Sequence, residues 1–371
     1  METFRPGGFD KTLFIIVLLL VAGGIVMVFS SSGVLAGEKY RQPFYFLAQQ
    51  ALGAAVGIGL LVALLRVRGP FFRNPVVVYG LLILAGGLLL LCFLMPSVAG
   101  AHRWILLRGI RFQPSELAKI SLILFLAFTL EKKKEALHEA RSLVLPLAVI
   151  AVFTLLILLE PDYGTGLLVF LNCILILFVS GVGLKHLGLL GAASAVLFGL
   201  YLVQAPYRVE RILAFLFPSR DPLGAGFQII QSKLAVGSGG LVGVSIGEST
   251  QKLFFLPCAH TDFIYAILGE ETGLIGTLAV LALFGLLIWR GIVIFSRAPG
   301  PAAQLTVLGL ILMIGTQALL NITIVLGIGP AKGIPLPLMS FGRSSLVMTL
   351  ASLGIILNIS QRKGKKDPYQ P

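Results

Sequence analysis

The chain has 371 residues, of which 57% are hydrophobic and only 12% are charged, and its mean hydropathy is +0.97. A soluble domain has roughly 25% charged residues, so this composition excludes an ordinary water-soluble fold. The net charge is +13. Most of the Lys and Arg residues lie in short connections beside apolar runs, so we ascribe this charge to membrane topology and expect no nucleic-acid partner.

Apolar runs separated by short polar segments follow one another along the chain. Crossing about 30 Å of hydrocarbon takes about 20 helical residues, and a helix pairs its own backbone groups there. We therefore predict an all-α, polytopic fold with about ten transmembrane helices in a single membrane domain, 1–371. The predicted helices cover residues 12–32, 45–65, 75–95, 114–130, 143–159, 165–183, 187–205, 263–289, 303–326 and 343–360.

Basic residues predict the orientation of these helices. An even number of spans places both termini on one side, and the short connections of that side carry about twice as many Lys and Arg residues as those of the other. We therefore expect both termini, including the basic tail 361–371, to be cytoplasmic.

The segment 206–262 differs from the rest of the chain because it is too polar for a span and too apolar for a free loop. We expect a large extracytoplasmic loop between helices 7 and 8, with short interfacial helices and glycine-rich turns. Topology gives no reason for its Arg208, Arg211 and Lys252, which therefore indicate an anionic ligand. Asp262 ends the segment at the mouth of an apolar run, where a carboxylate is costly and so indicates a functional site.

Four motifs occur in a recognisable order. They are FQPSELAK at 112–119, GFQIIQSKLAVGSGG at 226–240, HTDF with a GEE run at 260–271, and GPAKGIPLPLMSFG followed by two serines at 329–345. Together they resemble the SEDS family (shape, elongation, division and sporulation proteins), and the resemblance runs from about residue 12 to residue 360. It is closer to the cell-division branch, FtsW, than to the elongation branch, RodA; the sporulation branch, SpoVE, is a further alternative.

The resemblance implies a peptidoglycan glycosyltransferase that polymerises lipid II into glycan strands at the outer face of the bacterial cytoplasmic membrane, during septal cell-wall synthesis. It implies a class B penicillin-binding protein of the FtsI type and other divisome membrane proteins as partners. The family's catalytic Asp falls on Asp262. Its central cavity is lined by a Glu and a Lys that fall on Glu116 and Lys119.

Glycan extension requires a base that accepts the proton of the attacking sugar hydroxyl, and cations that stabilise the departing lipid pyrophosphate. Asp262 fits the first role, and a single carboxylate acting without a covalent intermediate would invert the donor linkage. The candidates for contacts with the substrate are more numerous. They are Glu116, Lys119, Arg208, Arg211, Lys252, His260, Lys332, Ser340, Ser344 and Ser345.

Most of these assignments have a structural alternative. Asp262 would cap the helix that begins near Phe263, Glu116 and Lys119 would form only an ion pair, and the serines would only satisfy backbone groups. A divalent cation such as Mg²⁺ would suit phosphate chemistry at Asp262, although no ligand spacing identifies a metal site.

Two functions of other classes stay open at this point, a lipid II flippase or transporter and a non-catalytic divisome scaffold. The chain also departs from the family pattern at four positions. Cys258, Ala331, Phe341 and Arg343 stand where the family usually has Glu, Thr, Tyr and Gly.

Overall fold

The computed structural model describes residues 8–67, 69–97, 100–107, 110–137, 139–204, 206–224, 226–253, 255–330 and 333–361. These ranges form twelve α-helices and one short antiparallel hairpin of β1 (Ile105–Leu107) and β2 (Ile110–Phe112). The helices are α1 (Lys11–Tyr40), α2 (Tyr45–Leu65), α3 (Pro75–Cys92), α4 (Pro114–Lys132), α5 (Ala140–Leu159), α6 (Tyr163–Val179), α7 (Leu184–Val203), α8 (Pro206–Leu216), α9 (Phe227–Ser238), α10 (Ile264–Arg297), α11 (Pro301–Val325) and α12 (Arg343–Ser360).

Each of the ten predicted spans is a helix, and the all-α, polytopic fold class is confirmed. Among the described residues, eight helices are long and apolar enough to cross a membrane. The other two predicted spans are α4, which carries charged residues, and α6, which has 17 residues. The orientation of the termini and the single domain stay predictions, and of the basic tail only Gln361 lies in the described ranges.

The predicted end of α1 at residue 32 is wrong, because the helix continues to Tyr40. The serines near residue 32 do not interrupt it. Ser31 donates its hydroxyl to the carbonyl of Met27 (2.6 Å) and Ser32 donates to that of Val28 (2.5 Å), so both side chains are satisfied inside the helix. Helix α10 is likewise longer than predicted and ends at Arg297.

The centre of the bundle is α4, which contacts α3, α5, α6, α11 and α12. Its residues from Pro114 to Leu130 are almost all buried. A helix enclosed by other helices can hold polar side chains that lipid would not tolerate, since its neighbours supply their partners. This explains how Glu116 and Lys119 lie inside a membrane bundle.

Helices α2 and α12 approach each other closely along small residues. A Cβ atom at Gly354 would lie 2.9 Å from the Cα atom of Leu61, and one at Gly57 would lie 2.4 Å from the side chain of Leu350. Such small residues let helix backbones approach in a membrane, where dispersion contacts replace the hydrophobic effect. The pair holds the N-terminal end of α12 in place.

Helix α10 is broken at Gly273, whose φ of 65° and ψ of −160° are accessible mainly to glycine. In a continuous helix the N–H groups of Leu274 and Ile275 would bind the carbonyls of Glu270 and Glu271. The break separates these donors from these acceptors. Residues 240–246, here called the inserted segment, fill this gap. The four bonds are Leu274 N to Gly240 O (2.9 Å), Ile275 N to Leu241 O (3.2 Å), Val244 N to Glu270 O (3.0 Å) and Ser245 N to Glu271 O (3.2 Å).

Glycines allow the inserted segment to lie against α10. A Cβ atom at Gly239 would lie 2.0 Å from the carbonyl oxygen of Gly269, and one at Gly243 would lie 2.1 Å from that of Glu271. These glycines thus allow the backbone to approach a helix closely. The inserted segment replaces the hydrogen bonds that the broken helix lacks, as buried backbone requires.

The close approach at Gly243 predicts that Gly243→Ala will destabilise the protein more than Gly247→Ala. Both glycines have positive φ, 82° and 93°, but a Cβ atom at Gly247 would meet no atom within 4 Å. Gly247→Ala should therefore cost only the conformational strain of about 1–3 kcal/mol. The measurement is the thermal unfolding midpoint in detergent, and equal midpoints for the two variants would contradict the packing described.

Candidate active site

Asp262 lies at the start of α10 without capping it. The helix begins at Ile264, its N-cap position is Phe263, and no side chain caps it. The capping alternative for Asp262 is therefore wrong. The partly exposed carboxylate lies against Gly333, where a Cβ atom would be 3.4 Å from Asp262 Oδ2. In the part of the chain that the structure describes, no protein group donates a hydrogen bond to this carboxylate.

The backbone around Asp262 is held by three donors from other segments. The carbonyls of residues 260–262 accept hydrogen bonds in succession from Phe341 N (2.9 Å), from the Ser340 hydroxyl, and from Asn321 Nδ2 (2.7 Å). Three consecutive bonded carbonyls fix the direction of the Asp262 side chain. Ser340, predicted to contact substrate, thus has its hydroxyl engaged with backbone, including the N–H of Leu336 (2.8 Å).

Two amide side chains on one face of α11 hold the opposite wall of the site. Asn321 Nδ2 also donates to the carbonyl of Ile334 (2.8 Å), and Gln317 Nε2 donates to that of Pro335 (3.0 Å). Gln317 and Asn321 are one helical turn apart on the same face of α11, so their side chains reach the carbonyls of two consecutive residues. The side-chain NH2 group of Asn321 therefore donates to both walls of the site, at the carbonyls of Asp262 and Ile334.

Glu116 and Lys119 form a buried ion pair of 2.9 Å, three residues apart on α4. Lys119 Nζ also donates to Gln317 Oε1 at 3.1 Å. The pair lines a cavity of about 20 Å³ between α4, α11 and α12, enough for about one water molecule. The geometry agrees with the ion-pair alternative. Gln317 connects this ion pair to the wall of the site by its hydrogen bond to the carbonyl of Pro335. A contact with substrate stays a prediction.

Charges converge on Asp262. Burial raises the pKa of Asp262 from 3.8 to about 6; the charge of Asp162 raises it as well, whereas the cations Arg211 and Arg103 lower it. An Asp with a pKa of about 6 is mostly ionised at neutral pH and is still a better proton acceptor than an ordinary carboxylate. The site thus holds two carboxylates and two guanidinium groups.

Arg103 and Asp162 connect the hairpin to the start of α6. Asp162 caps α6 by accepting a hydrogen bond from Thr165 N (3.1 Å). Arg103 lies 4.0 Å from the Asp162 carboxylate and donates to the carbonyls of Glu160 and Pro161. This arginine is anchored by backbone acceptors, so its charge stays near the two aspartates.

Lys252, which is predicted to bind an anionic ligand, forms an ion pair with Glu271 of the protein. Its Nζ atom is 2.7 Å from Glu271 Oε1 and 3.2 Å from the hydroxyl of Ser30, and the lysine and glutamate side chains are only 6% and 0% exposed. Breaking such a buried pair leaves an uncompensated charge. The arrangement favours a role for Lys252 in fastening the loop to α1 and α10.

Glu270 fastens the same loop from the next position of α10. It accepts hydrogen bonds from the hydroxyls of Ser249 and Thr250, and from the backbone N–H groups of Thr250 (3.0 Å) and Gln251. Both acids of the GEE run therefore act on residues 249–252. Their side chains hold the loop that leads to Asp262.

His260 is packed between two aromatic rings, with ring centroids 4.7 Å from Phe46 and 5.8 Å from Phe341. Burial lowers the pKa of His260 to about 4, and the charge of Lys39 acts in the same direction. The imidazole is therefore neutral at pH 7. A neutral imidazole does not supply positive charge for an anion beside Asp262.

Two further predicted contacts, Ser344 and Ser345, lie in the first turn of α12. The Ser344 hydroxyl donates to the carbonyl of Arg111 (2.9 Å), which fastens α12 to the hairpin, and Ser345 is partly exposed in the first turn. The side chain of Arg208 and the whole of Lys332 lie outside the described residues.

The four departures from the family pattern affect the site differently. The carbonyl of Cys258 accepts from the N–H groups of Thr261 (3.1 Å) and Phe263 (3.3 Å), a role independent of its exposed side chain. Phe341 packs on Phe46, with centroids 5.0 Å apart, and Arg343 packs on Gly53. Ala331 lies outside the described residues.

Metal binding requires a suitable set of donors. Within the described ranges, no group of three or more His, Cys, Asp or Glu residues is placed to hold a metal ion. The residues near Asp262 include a second carboxylate, that of Asp162, and two arginines. This set does not fit a metal held by protein ligands alone, so the chemistry below is assigned to the chain's own residues.

Comparison with known proteins identifies the family. The model of the cell cycle protein family of FtsW, RodA and SpoVE matches residues 10–365. The chain belongs to this family. A Geobacter sulfurreducens protein, named as a probable peptidoglycan glycosyltransferase FtsW, is 39% identical over 95% of each chain. Stage V sporulation protein E of Bacillus subtilis is 42% identical over 95% of this chain and 97% of that protein.

Solved structures of relatives share the fold. One, described as the structural coordination of polymerization and crosslinking by a peptidoglycan synthase complex, superposes with a TM-score of 0.78 at 32% identity, over 98% of this chain and 99% of that chain. The rod shape determining protein RodA of Thermus thermophilus gives 0.70 at 28% identity, over 98% of each chain. The family assignment based on the four motifs is confirmed.

Several residues that position the site are absent from the candidates that the sequence predicts. They are Arg103, Gln317, Asn321 and Gln50. The signal was present, because a polar side chain inside an apolar span must find a partner. Gln50 Nε2 donates to the carbonyl of Ser340 (3.1 Å), so it too holds the site's backbone.

The bonds of Asn321 predict that Asn321→Ala will loosen the backbone of residues 260–262. A matched control is Asn172→Ala, since Asn172 Nδ2 is also buried and donates to a carbonyl of α11, that of Gly309 (3.1 Å). Hydrogen–deuterium exchange in detergent should rise in residues 258–264 and 334–342 for the first variant only. The same increase with Asn172→Ala would show a general loss of stability instead.

Proposed function

We propose that this protein is a peptidoglycan glycosyltransferase that polymerises lipid II, with Asp262 as the general base. The observation that carries the proposal is the Asp262 carboxylate, which is fixed by the bonded carbonyls of residues 260–262 and accepts no hydrogen bond from the described protein groups. The named activity of relatives that are 39 to 40% identical supports the same reaction.

The reaction transfers one proton and one glycosyl group. The acceptor hydroxyl gives its proton to an oxygen of Asp262 as its own oxygen bonds the anomeric carbon of the donor. The bond from that carbon to the lipid pyrophosphate breaks, and the pyrophosphate leaves with the electron pair. Displacement at one face without a covalent intermediate inverts the linkage, and it requires the hydroxyl within about 3 Å of the base.

The departing pyrophosphate needs positive charge near Asp262. Arg211 and Arg103 supply it, and both act electrostatically on Asp262. The N-terminal end of α12 adds the partial positive charge of its helix dipole beside the site. It is brought there by the hydrogen bond from Phe341 N to the carbonyl of His260.

The biological setting belongs to the same proposal. We assign the chain to the cell-division branch, with a class B penicillin-binding protein of the FtsI type as partner, other divisome proteins nearby, both termini in the cytoplasm, and a location at the septum. A structural neighbour described as a peptidoglycan synthase complex supports such a partner. The relatives include FtsW proteins and a sporulation protein at 39 to 42% identity, so the branch is tested by the partner that activates the enzyme.

Replacement of the base predicts a large loss of activity. Asp262→Asn keeps the shape of the side chain and should lower the rate of lipid II polymerisation by roughly 10²- to 10⁴-fold, because an amide cannot accept the proton. The assay uses purified protein in detergent or nanodiscs. Glu248→Gln is the control, since Glu248 is an exposed acid of the same loop.

Equal glycan polymer from wild type and Asp262→Asn would rule out this base. No polymer from either protein, together with lipid II binding by both, would leave a binding or transport function. The same assay with a chelator tests for a divalent cation. A chelator that abolishes polymerisation, with recovery on adding Mg²⁺, would show that a metal assists the pyrophosphate.

The raised pKa of Asp262 predicts the pH dependence. A general base is active when ionised, so the rate should rise through about pH 6 and stay constant above it. Because Arg211 lowers this pKa, Arg211→Gln should move the midpoint to higher pH. Arg220→Gln is the control, since Arg220 lies in the same loop against the ring of Phe217. A midpoint that moves equally in both variants, or in neither, would contradict the electrostatic assignment.

A further inference from the structure

The inserted segment exposes an apolar surface outside the regular helices. Leu241 and Val242 are 70% and 73% exposed, and Val244 and Ile246 are exposed as well. The segment contains no charged residue. Water is a poor environment for such a surface, because each exposed large side chain forfeits about 1.5–3 kcal/mol of burial free energy.

Two polar clusters mark the thickness of the bundle along α1 and α10. At one end, Arg290 of α10 pairs with Asp10, the residue that caps α1. At the other end, Ser30 of α1 donates to Glu271. Asp10 and Ser30 are separated by about 30 Å of helix at 1.5 Å per residue, which equals the thickness of the hydrocarbon core.

The first residues of the inserted segment lie inside this interval. Leu274 is about 24 Å along α10 from Arg290, at 1.5 Å per residue, so its depth is below the boundary marked by Glu271. The N–H of Leu274 bonds Gly240 and that of Ile275 bonds Leu241, so Gly240 and Leu241 have the same depth as these residues, whereas Val244 and Ser245 return to the boundary, where they bond the carbonyls of Glu270 and Glu271. The exposed side chains of Leu274, Ile275 and Leu278 continue the apolar surface down α10.

Irregular backbone at membrane depth is tolerated only when its polar groups are paired within the protein. The four hydrogen bonds between the inserted segment and the two sides of the break in α10, and the bond from Gly243 N to Gly239 O (2.8 Å), pair part of its backbone in this way. The segment is therefore suited to hydrocarbon in its side chains and in these paired backbone groups.

We infer that residues 240–246 form a re-entrant wedge in the leaflet on the Asp262 side of the membrane, and that lipid acyl chains cover the exposed side chains. The wedge continues the lipid-facing surface of α10. It lies directly before residues 249–252, which Glu270 and Glu271 bind. The wedge thereby anchors the loop that leads to Asp262 in the membrane. The inference rests on depth, exposure and backbone pairing, and is independent of the proposed reaction.

Site-directed spin labelling in nanodiscs tests the wedge. A nitroxide is placed at Val242→Cys in a Cys258→Ser background; Cys92 and Cys173 are buried and need no replacement. Its collisions with oxygen, which concentrates in lipid, and with a water-soluble nickel chelate are compared. Leu278→Cys on α10 gives the lipid reference, and Glu248→Cys gives the aqueous reference.

The label at Val242 should resemble that at Leu278, with an oxygen-to-nickel accessibility ratio severalfold above that at Glu248. A ratio equal to that at Glu248 would place the segment in water and overturn the inference. Low accessibility to both reagents would show that protein covers it, which also overturns the inference. Leu241→Cys provides a second label if the Val242 variant does not fold, and the same criteria apply.

Discussion

The backbone carbonyls of residues 260–262 are bound one after another by donors from α11 and from the segment before α12, and the position of the Asp262 carboxylate depends on these bonds. Carbonyls at the end of a loop are normally free to turn toward water. Here Asn321, Ser340 and the N–H of Phe341 occupy them. The side chain of Asp262 is thereby directed without accepting a bond from the described donors around it, which leaves its oxygens free for a substrate hydroxyl.

The remainder of the bundle supports this arrangement through buried polar groups. On one side, Gln317 links Lys119 to the wall formed by residues 334–335, so that α4, the most enclosed helix, contacts the site through a single side chain. On the other side, the broken helix α10 accepts the inserted segment, and its two glutamates bind residues 249–252. Both supports place polar groups inside a membrane bundle, where each depends on having its partner.

The sequence predicted the bundle well because its evidence is local. Runs such as 75–95 and 143–159 are almost uniformly apolar, and each satisfies its own backbone, so its helix is fixed without reference to its neighbours. The order of the four motifs likewise identified the family. The break at Gly273 was not predicted, because a glycine inside an apolar run is compatible with a continuous helix. Only the distant glycines 239 and 243 make the break possible.

Roles that depend on tertiary contacts were the least predictable. Lys252 looked like an anion-binding residue in an outward loop, but its charge is occupied by Glu271. Asn321 and Gln317 looked like isolated polar residues of a span, but they join the two walls of the site. In each case the partner lies on another element, and no local pattern in one chain specifies it.

The central claim is that Asp262 accepts the proton of the attacking hydroxyl, and a structure of the protein with a lipid II analogue bound tests it most directly. The account predicts the acceptor hydroxyl within about 3 Å of a carboxylate oxygen of Asp262, with the pyrophosphate beside Arg211 and Arg103. A complex in which that hydroxyl faces another acid or water, with Asp262 turned away from the sugar, would contradict it.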